Sequence, residues 1–287
     1  MARYAYVNGR YVDHRDASVH IEDRGYQLAD GVYEVVGVRD GRLIDEGPHI
    51  DRLDRSLREL KIDWPISRAA LSFVMRELMR RNRLRDGLIY MQVTRGVARR
   101  DHAFPTVPVK PALVLTTKNS KRAEADPGAG IGVKSQPDIR WERCDIKTIA
   151  LLPNVLAKQA ARESGAYEAW LVDTDGCVTE GASTNAWIVT KDGELVTRQT
   201  DNGILAGITR HTLKSLCNAL QLKFVERPFS LAEAKKAQEA FITSATSFVT
   251  PVVKIDGDTV GDGKVGPMAR RLREEYVRFA AAGEAIT

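Results

Sequence analysis

The chain has 287 residues, 43% of them hydrophobic and 28% charged, with a net charge of +5, a size and balance that describe a soluble globular protein with room for two domains. No apolar stretch approaches the ~20 residues of a membrane span, and the first residues open directly into a strand-like run rather than a leader. Three widely spaced cysteines, Cys144, Cys177 and Cys217, form no CxxC pair, which points to reduced thiols and a cytoplasmic location.

The elements follow from the hydrophobic period. Tyr4–Val7 and Arg10–Val12 flank Asn8-Gly9, a type I′ hairpin signal, and Tyr33–Val38 and Arg42–Ile44 flank Asp40-Gly41 in the same way. From Pro48 the period changes to a helix carrying Ile50, Leu53, Leu57 and Leu60, and a second helix is predicted over 67–82, burying Leu71, Val74, Met75 and Leu78. Leu88–Val93 and Pro111–Thr117 read as strands around an unusually long loop, Arg95–Lys110; long loops inside compact domains are often functional. Residues 119–130 read as the interdomain linker, giving domains at 1–118 and 131–287. The second half predicts strands at Ile131–Ser135 and Ile139–Ile146, then a helix from Pro153 to a C′ glycine at Gly165. A turn at Asp175-Gly176, a strand at Asn185–Thr190 and a helix from about Thr209 follow. Next come a capping box at Ser230–Glu233, a strand at Ala240–Ser244 and a last helix from about Pro267. Hairpins mixed with helices in both halves predict two α+β domains, not a doubly wound sheet. Gly128–Gly132 precedes a strand rather than joining strand to helix, so it is not a phosphate loop.

The arginine runs at 80–85 and 270–273 lie on or beside amphipathic helices, without the interleaved aromatics that would mark a nucleic-acid surface. The most suggestive stretch is Arg143–Leu152, where a single lysine, Lys147, stands among apolar residues with no carboxylate nearer than Asp145. Desolvation lowers an amine's pKa and suits it to Schiff-base chemistry. The same decapeptide also fits a lysine whose stem lies on a sheet and whose head reaches water.

Four further sites accompany it. Gly203–Arg210 leads into a helix whose first amides, at Ile208 and Thr209, would favour a phosphate. Thr243–Ser247 is a hydroxyl-rich turn, Thr179–Asn185 sets Glu180 among small residues at a strand end, and Arg52 sits on the helix after Pro48. Each alone is an ordinary loop, cap or surface feature.

Together they resemble the class IV (fold-type IV) pyridoxal-phosphate aminotransferases along essentially the whole chain. The resemblance is carried by Glu22–Gln27, Asp30–Val36, His49–Leu53, Gln92–Gly96, Asp138–Lys147, Thr179–Gly181, Gly207–Arg210 and Gly263–Gly266. It implies that Lys147 forms the Schiff base with pyridoxal 5′-phosphate and shuttles the substrate proton. It implies that Glu180 pairs with the pyridine nitrogen, that Leu205 packs on the ring, and that Arg52, Ile208, Thr209, Ser244 and Thr246 hold the phosphate. Ala182 and Ala245 stand where the family can carry hydroxyls. Arg99–Pro105 resembles the Arg-x-His element of the D-amino-acid transaminases. There, an arginine and a histidine of the neighbouring subunit, here Arg100 and His102, join a tyrosine, here Tyr33, to bind the substrate carboxylate. The implied protein is a homodimer with active sites between its domains and at the dimer interface. It would pass the amino group of D-alanine to 2-oxoglutarate, giving pyruvate and D-glutamate, with no metal, nucleic acid or membrane. A branched-chain L-amino-acid aminotransferase and an aminodeoxychorismate lyase-like enzyme are the alternatives on this scaffold, and a cofactor-binding protein without turnover lies outside it. Glu34, His49 and Trp141 read equally as functional residues and as packing or sheet residues, and stand outside the catalytic set.

Overall fold

A computed structural model describes residues 2–119 and 129–282 and divides them into two compact units. The described residues of Met1–Arg122 with Ile146–Ala150 form one, and those of Ala123–Asp145 with Leu151–Thr287 the other. The arrangement is α+β.

The first unit contains β1 (Tyr4–Val7), β2 (Arg10–Asp13), α1 (Arg24–Leu28), β3 (Gly31–Arg39) and β4 (Arg42–Leu43). After them come α2 (Glu46–Glu59), α3 (Arg68–Asn82), β5 (Gly87–Thr94) and β6 (Ala112–Asn119). Its sheet runs β2-β1-β6-β5-β3-β4, antiparallel throughout. Asn8-Gly9 and Asp40-Gly41 have positive φ at both turn positions, as their hairpins require. On β3 the period of two buries Val32, Glu34, Val36 and Val38 against the helices. There the aliphatic members join Leu53 and Leu57 of α2 and Leu71, Met75 and Leu78 of α3 in one core. Each such side chain taken from water contributes about 1.5–3 kcal/mol. Helix α2 starts two residues before Pro48, and β6 runs to Asn119, paired with Gly87, into the first residue of the expected linker. Residues 120–128 of that linker lie outside the described residues.

The segment around Lys147 was expected within the second domain, but Ile146–Ala150 clusters with the first unit. The reason is local: β4 pairs only with Val38 and Arg39, leaving the other end of β3 an open edge. The lysine segment fills it. Tyr33 N–H donates to the Lys147 carbonyl (3.0 Å), Ile149 N–H donates to the Gly31 carbonyl (3.1 Å), and Val32 bridges Thr148.

The second unit begins with β7 (Ile131–Pro137), α4 (Leu152–Glu163), β8 (Glu168–Val172), β9 (Val178–Gly181) and β10 (Asn185–Val189). It continues through β11 (Leu195–Thr197), α5 (Ile208–Ala219), β12 (Phe224–Glu226), α6 (Leu231–Lys235) and β13 (Glu239–Ser244). It ends with β14 (Phe248–Ile255), β15 (Asp258–Thr259) and α7 (Pro267–Ala282). Its mixed sheet runs β12-β11-β10-β13-β14-β7-β8-β9, with β15 on β14, around a core that includes Trp170, Ile188, Phe229 and Ile242. The Ser230 hydroxyl caps α6 by accepting from Glu233 N–H (3.0 Å). The strand predicted at Ile139–Ile146 does not form. Cys144 N–H donates to the Asn202 carbonyl (2.8 Å), Arg140 turns inward, and Arg143 folds onto Asp145 (2.9 Å), so loop partners replace a strand ladder.

Gly31 lies where the lysine segment and β5 close on β3; a Cβ there would sit 2.7 Å from the Val93 carbonyl oxygen and 3.1 Å from Ile149 Cδ1. Gly31→Ala is expected to destabilise the protein by about 1–3 kcal/mol, the usual cost of overpacking. Chemical unfolding against the wild type checks this.

Candidate active site

In the first unit the alternation of β3 separates two kinds of chemistry. Glu34 faces the helices, fully out of water, and such a carboxylate needs cations or donors around it. Helix α2 supplies them from positions three apart on one face. Arg52 donates from Nε and Nη2 to the two Glu34 oxygens (2.7 and 2.9 Å), and His49 Nδ1 lies 2.8 Å from Oε2. Burial pushes the Glu34 carboxyl up, but the Arg52 charge and the Arg52 and His49 bonds hold it well below the usual range. Sequence reasoning assigned Arg52 a role and missed the pair that orients it. The available signal was a glutamate on the apolar face of an otherwise aliphatic strand.

Tyr33 occupies the other face of β3. Its ring stacks on Tyr90 (5.6 Å between centroids), and Lys147 Nζ lies 4.2 Å from the Tyr33 ring centre. The Lys147 amide N–H reaches Ser56 Oγ at 3.4 Å, and the side chain is half-buried. Two of the predicted residues, Lys147 and Tyr33, are thus brought together. Arg100 and His102 are exposed on the loop after β5, and their side chains take no hydrogen-bond or ion-pair partner among the described residues. The Tyr90 phenol, raised to about 12 by burial and then by Tyr33, stays protonated and donates to Gln92 Oε1 (2.7 Å).

In the second unit Glu180 closes β9 and is almost fully buried. Its carboxylate receives Arg140 Nη1 (2.5 Å), Asn185 Nδ2 (2.9 Å) and the Leu205 amide (3.2 Å to each oxygen). The Arg140 guanidinium is shared with Asp138, which binds its Nε and Nη2 at 2.9 and 2.8 Å. Burial alone would lower the Arg140 pKa; Asp138 and Glu180 more than reverse that, so it stays charged, and with Arg140 as its chief partner Asp138 stays ionised. Arg140 thus bridges two carboxylates, Asp138 and Glu180. The sequence reading gave Arg140 no role, although charges alternating at 138, 140 and 142 were visible.

Asn185 ties this cluster to the phosphate-type elements. It pairs with Thr243 beside Ser244, and its Oδ1 occupies the space that a Cβ on Gly207 would need. Gly207 is the N-cap of α5 and brings no side chain to cap the helix, so the first amides of α5 lack that partner. Next to them the Thr209 hydroxyl is buried with no hydrogen-bond partner among the described residues. Ser244 Oγ, on the turn after β13, bonds with Thr246 Oγ1 (3.2 Å) and Ser247 Oγ (2.7 Å). Ile208 and Thr209 therefore stand at one helix start, Ser244 and Thr246 in one hydroxyl turn, and half-buried Leu205 against Glu180. A helix start and an orphaned hydroxyl of this kind fit a phosphate.

The family model described as Amino-transferase class IV matches residues 31–255. The chain belongs to that family. A D-alanine aminotransferase from Staphylococcus haemolyticus is 43% identical to this aminotransferase over 274 residues, 96% of each chain. Among solved structures, the Escherichia coli branched-chain amino acid aminotransferase superposes with a TM-score of 0.90 at 23% identity, covering 100% of this chain and 97% of its own. The branched-chain aminotransferase of the thermophilic archaeon Thermoproteus uzoniensis, with norvaline, gives 0.86 at 24% identity, covering 98% and 95%. At such identities the likeness speaks to the fold alone. No helix of the described residues is long and apolar enough to cross a membrane.

Glu34→Gln takes the buried carboxylate away from the Arg52 guanidinium, at an expected cost of about 3–5 kcal/mol near neutral pH. Because the folded-state carboxyl is depressed, this advantage of the wild type is complete above the ordinary glutamate value of 4.5 and fades as pH falls below it. Urea unfolding of both proteins between about pH 7 and pH 3 reads the convergence directly.

Proposed function

We propose that this aminotransferase is a D-amino-acid transaminase that uses pyridoxal 5′-phosphate and works in alternating half-reactions. The observation that supports the cofactor assignment is Glu180 itself, a nearly fully buried carboxylate oriented by Arg140, Asn185 and the Leu205 amide, which suits a protonated ring nitrogen. The uncapped start of α5, with the amides of Ile208 and Thr209 and the partnerless Thr209 hydroxyl, fits the phosphate. Ser244 and Thr246 add hydroxyl donors, Arg52 a guanidinium held ready by Glu34, and Leu205 an apolar surface for the ring. When bound, the cofactor supplies an electron sink for charge developing at the substrate α-carbon.

The chain's own residues do the rest. Lys147 would hold the cofactor through its amine, and the same amine would take and return the substrate α-proton. Its place over Tyr33 restricts that amine to one side. Tyr33, with Arg100 and His102 of a neighbouring subunit in a homodimer, binds the substrate carboxylate by charge-assisted bonds. Binding the carboxylate at a constant place while Lys147 acts from one side selects the hand of the α-carbon. The D-assignment draws on the likeness to D-alanine aminotransferases over nearly the full chain, which supports D-alanine as the donor; our reading takes 2-oxoglutarate as the acceptor, with pyruvate and D-glutamate as products. Three free thiols agree with a cytoplasmic setting.

Cofactor-loaded protein mixed separately with D-alanine, L-alanine and L-leucine tests this by loss of the visible absorption band. Bleaching by D-alanine alone is expected; bleaching by L-leucine alone would overturn the D-assignment in favour of the branched-chain reading. Lys147→Ala is expected to lower turnover by at least the 10²–10⁴-fold typical of a positioned proton-transfer group. Arg140→Met, which removes the guanidinium that Asp138 and Glu180 share, should raise the proton affinity of Glu180 and weaken cofactor retention, read by dialysis and absorbance.

A further inference from the structure

The loop after β5 has neither helix nor strand from 98 to 111, yet it carries Arg100 and His102. Ordering exposed backbone is costly in entropy, so something must fasten it. Among the described residues, backbone-to-backbone bonds fasten only its root: Arg24 N–H donates to the Gly96 carbonyl (2.9 Å), Ala98 N–H to the Glu22 carbonyl (3.2 Å), and Asp23 bridges Val97. Beyond the root the fastening passes to two buried arginines that share one carboxylate. Arg24 Nε donates to Asp30 Oδ2 (2.8 Å), and Arg95 donates to both Asp30 oxygens (2.7 and 3.0 Å). Arg95 is locked further by the Leu60 and Lys61 carbonyls (2.7 and 2.8 Å). From this base Arg24 reaches the loop: Nη1 donates to the Asp101 carbonyl at 2.6 Å, with Nη2 at the limit of bonding to the His102 carbonyl, 3.5 Å. Arg95 meets it three residues on, its guanidinium stacked under the exposed Phe104 ring at 3.7 Å.

We propose that Arg24 and Arg95, held by Asp30, are positioning residues that set the place of the Arg100–His102 element for the substrate carboxylate. The proposal rests on the reading of that element as the carboxylate trap. Both guanidiniums are anchored on Asp30; Arg24 tethers the Asp101 and His102 carbonyls and Arg95 holds the Phe104 ring, leaving the side chains of Arg100 and His102 exposed. A lysine at 24 keeps the charge but lacks the planar fork that joins Asp30 and the Asp101 carbonyl at once.

The test compares cofactor-loaded Arg24→Lys, Phe104→Ala and Arg100→Ala with the wild type. In Arg24→Lys, hydrogen exchange of amides 97–104 should accelerate about tenfold, the scale of one lost charge-assisted bond. KM for D-alanine should rise by a similar factor with kcat nearly unchanged, and conversion of a carboxylate-free amine, (R)-1-phenylethylamine, should not change. Phe104→Ala, which removes only an exposed ring, should move the same readouts in the same direction; if Arg24→Lys loses cooperative folding, this variant decides. Unchanged exchange overturns the proposal. So does faster exchange with unchanged KM when Arg100→Ala raises KM. If Arg100→Ala itself leaves KM unaltered, the trap reading fails, and the positioning role falls with it.

Discussion

A carboxylate removed from water must be met by a cation or by donors, and three such encounters organise this chain. Glu34 is met by Arg52 and His49, Glu180 by Arg140, Asn185 and an amide, and Asp30 by Arg24 and Arg95. The Born cost of burying one ion is several kcal/mol even after relaxation, and close bidentate geometry is what offsets it. Each pair therefore fixes the direction of a long side chain that would otherwise sample many rotamers. These clusters are a source of precision more than of net stability.

They differ in how the charge is shared. Glu34 takes two donors of the Arg52 fork, one to each oxygen, and so orients it. Asp138 and Glu180 share one guanidinium, that of Arg140. Asp30 stands between two guanidiniums, close to a loop that already carries Arg99 and Arg100. The same chemical pairing thus holds one arginine on one carboxylate, one arginine between two carboxylates, and two arginines on one carboxylate.

Backbone geometry sets where these charges stand. Strand β3 presents Glu34 inward and Tyr33 outward because successive residues face opposite sides, and Gly31 leaves room for the lysine segment along its open edge. Gly207 does the same at α5, where the absent side chain admits Asn185 and leaves the helix start uncapped.

Local patterning determined much of this in advance. Hairpins at Asn8-Gly9 and Asp40-Gly41, the apolar faces of α2 and α3, and the start of α5 near Thr209 were legible because each depends on residues a few positions apart. The motif pattern likewise picked out Lys147, Glu180 and the hydroxyl turn as places to look. Tertiary structure decided what period and propensity cannot encode. Ile139–Ile146 reads as a strand until Asp138, Glu180 and Asn202 claim its polar groups, with Glu180 40 residues from Arg140 in sequence and Asn202 further still from Cys144. Arg140, Arg24 and Asp30 look like surface charges in the sequence, and only the fold buries them. A buried ion's partner is chosen by distance in space, where energies fall within a few ångströms, and sequence separation carries no trace of that choice.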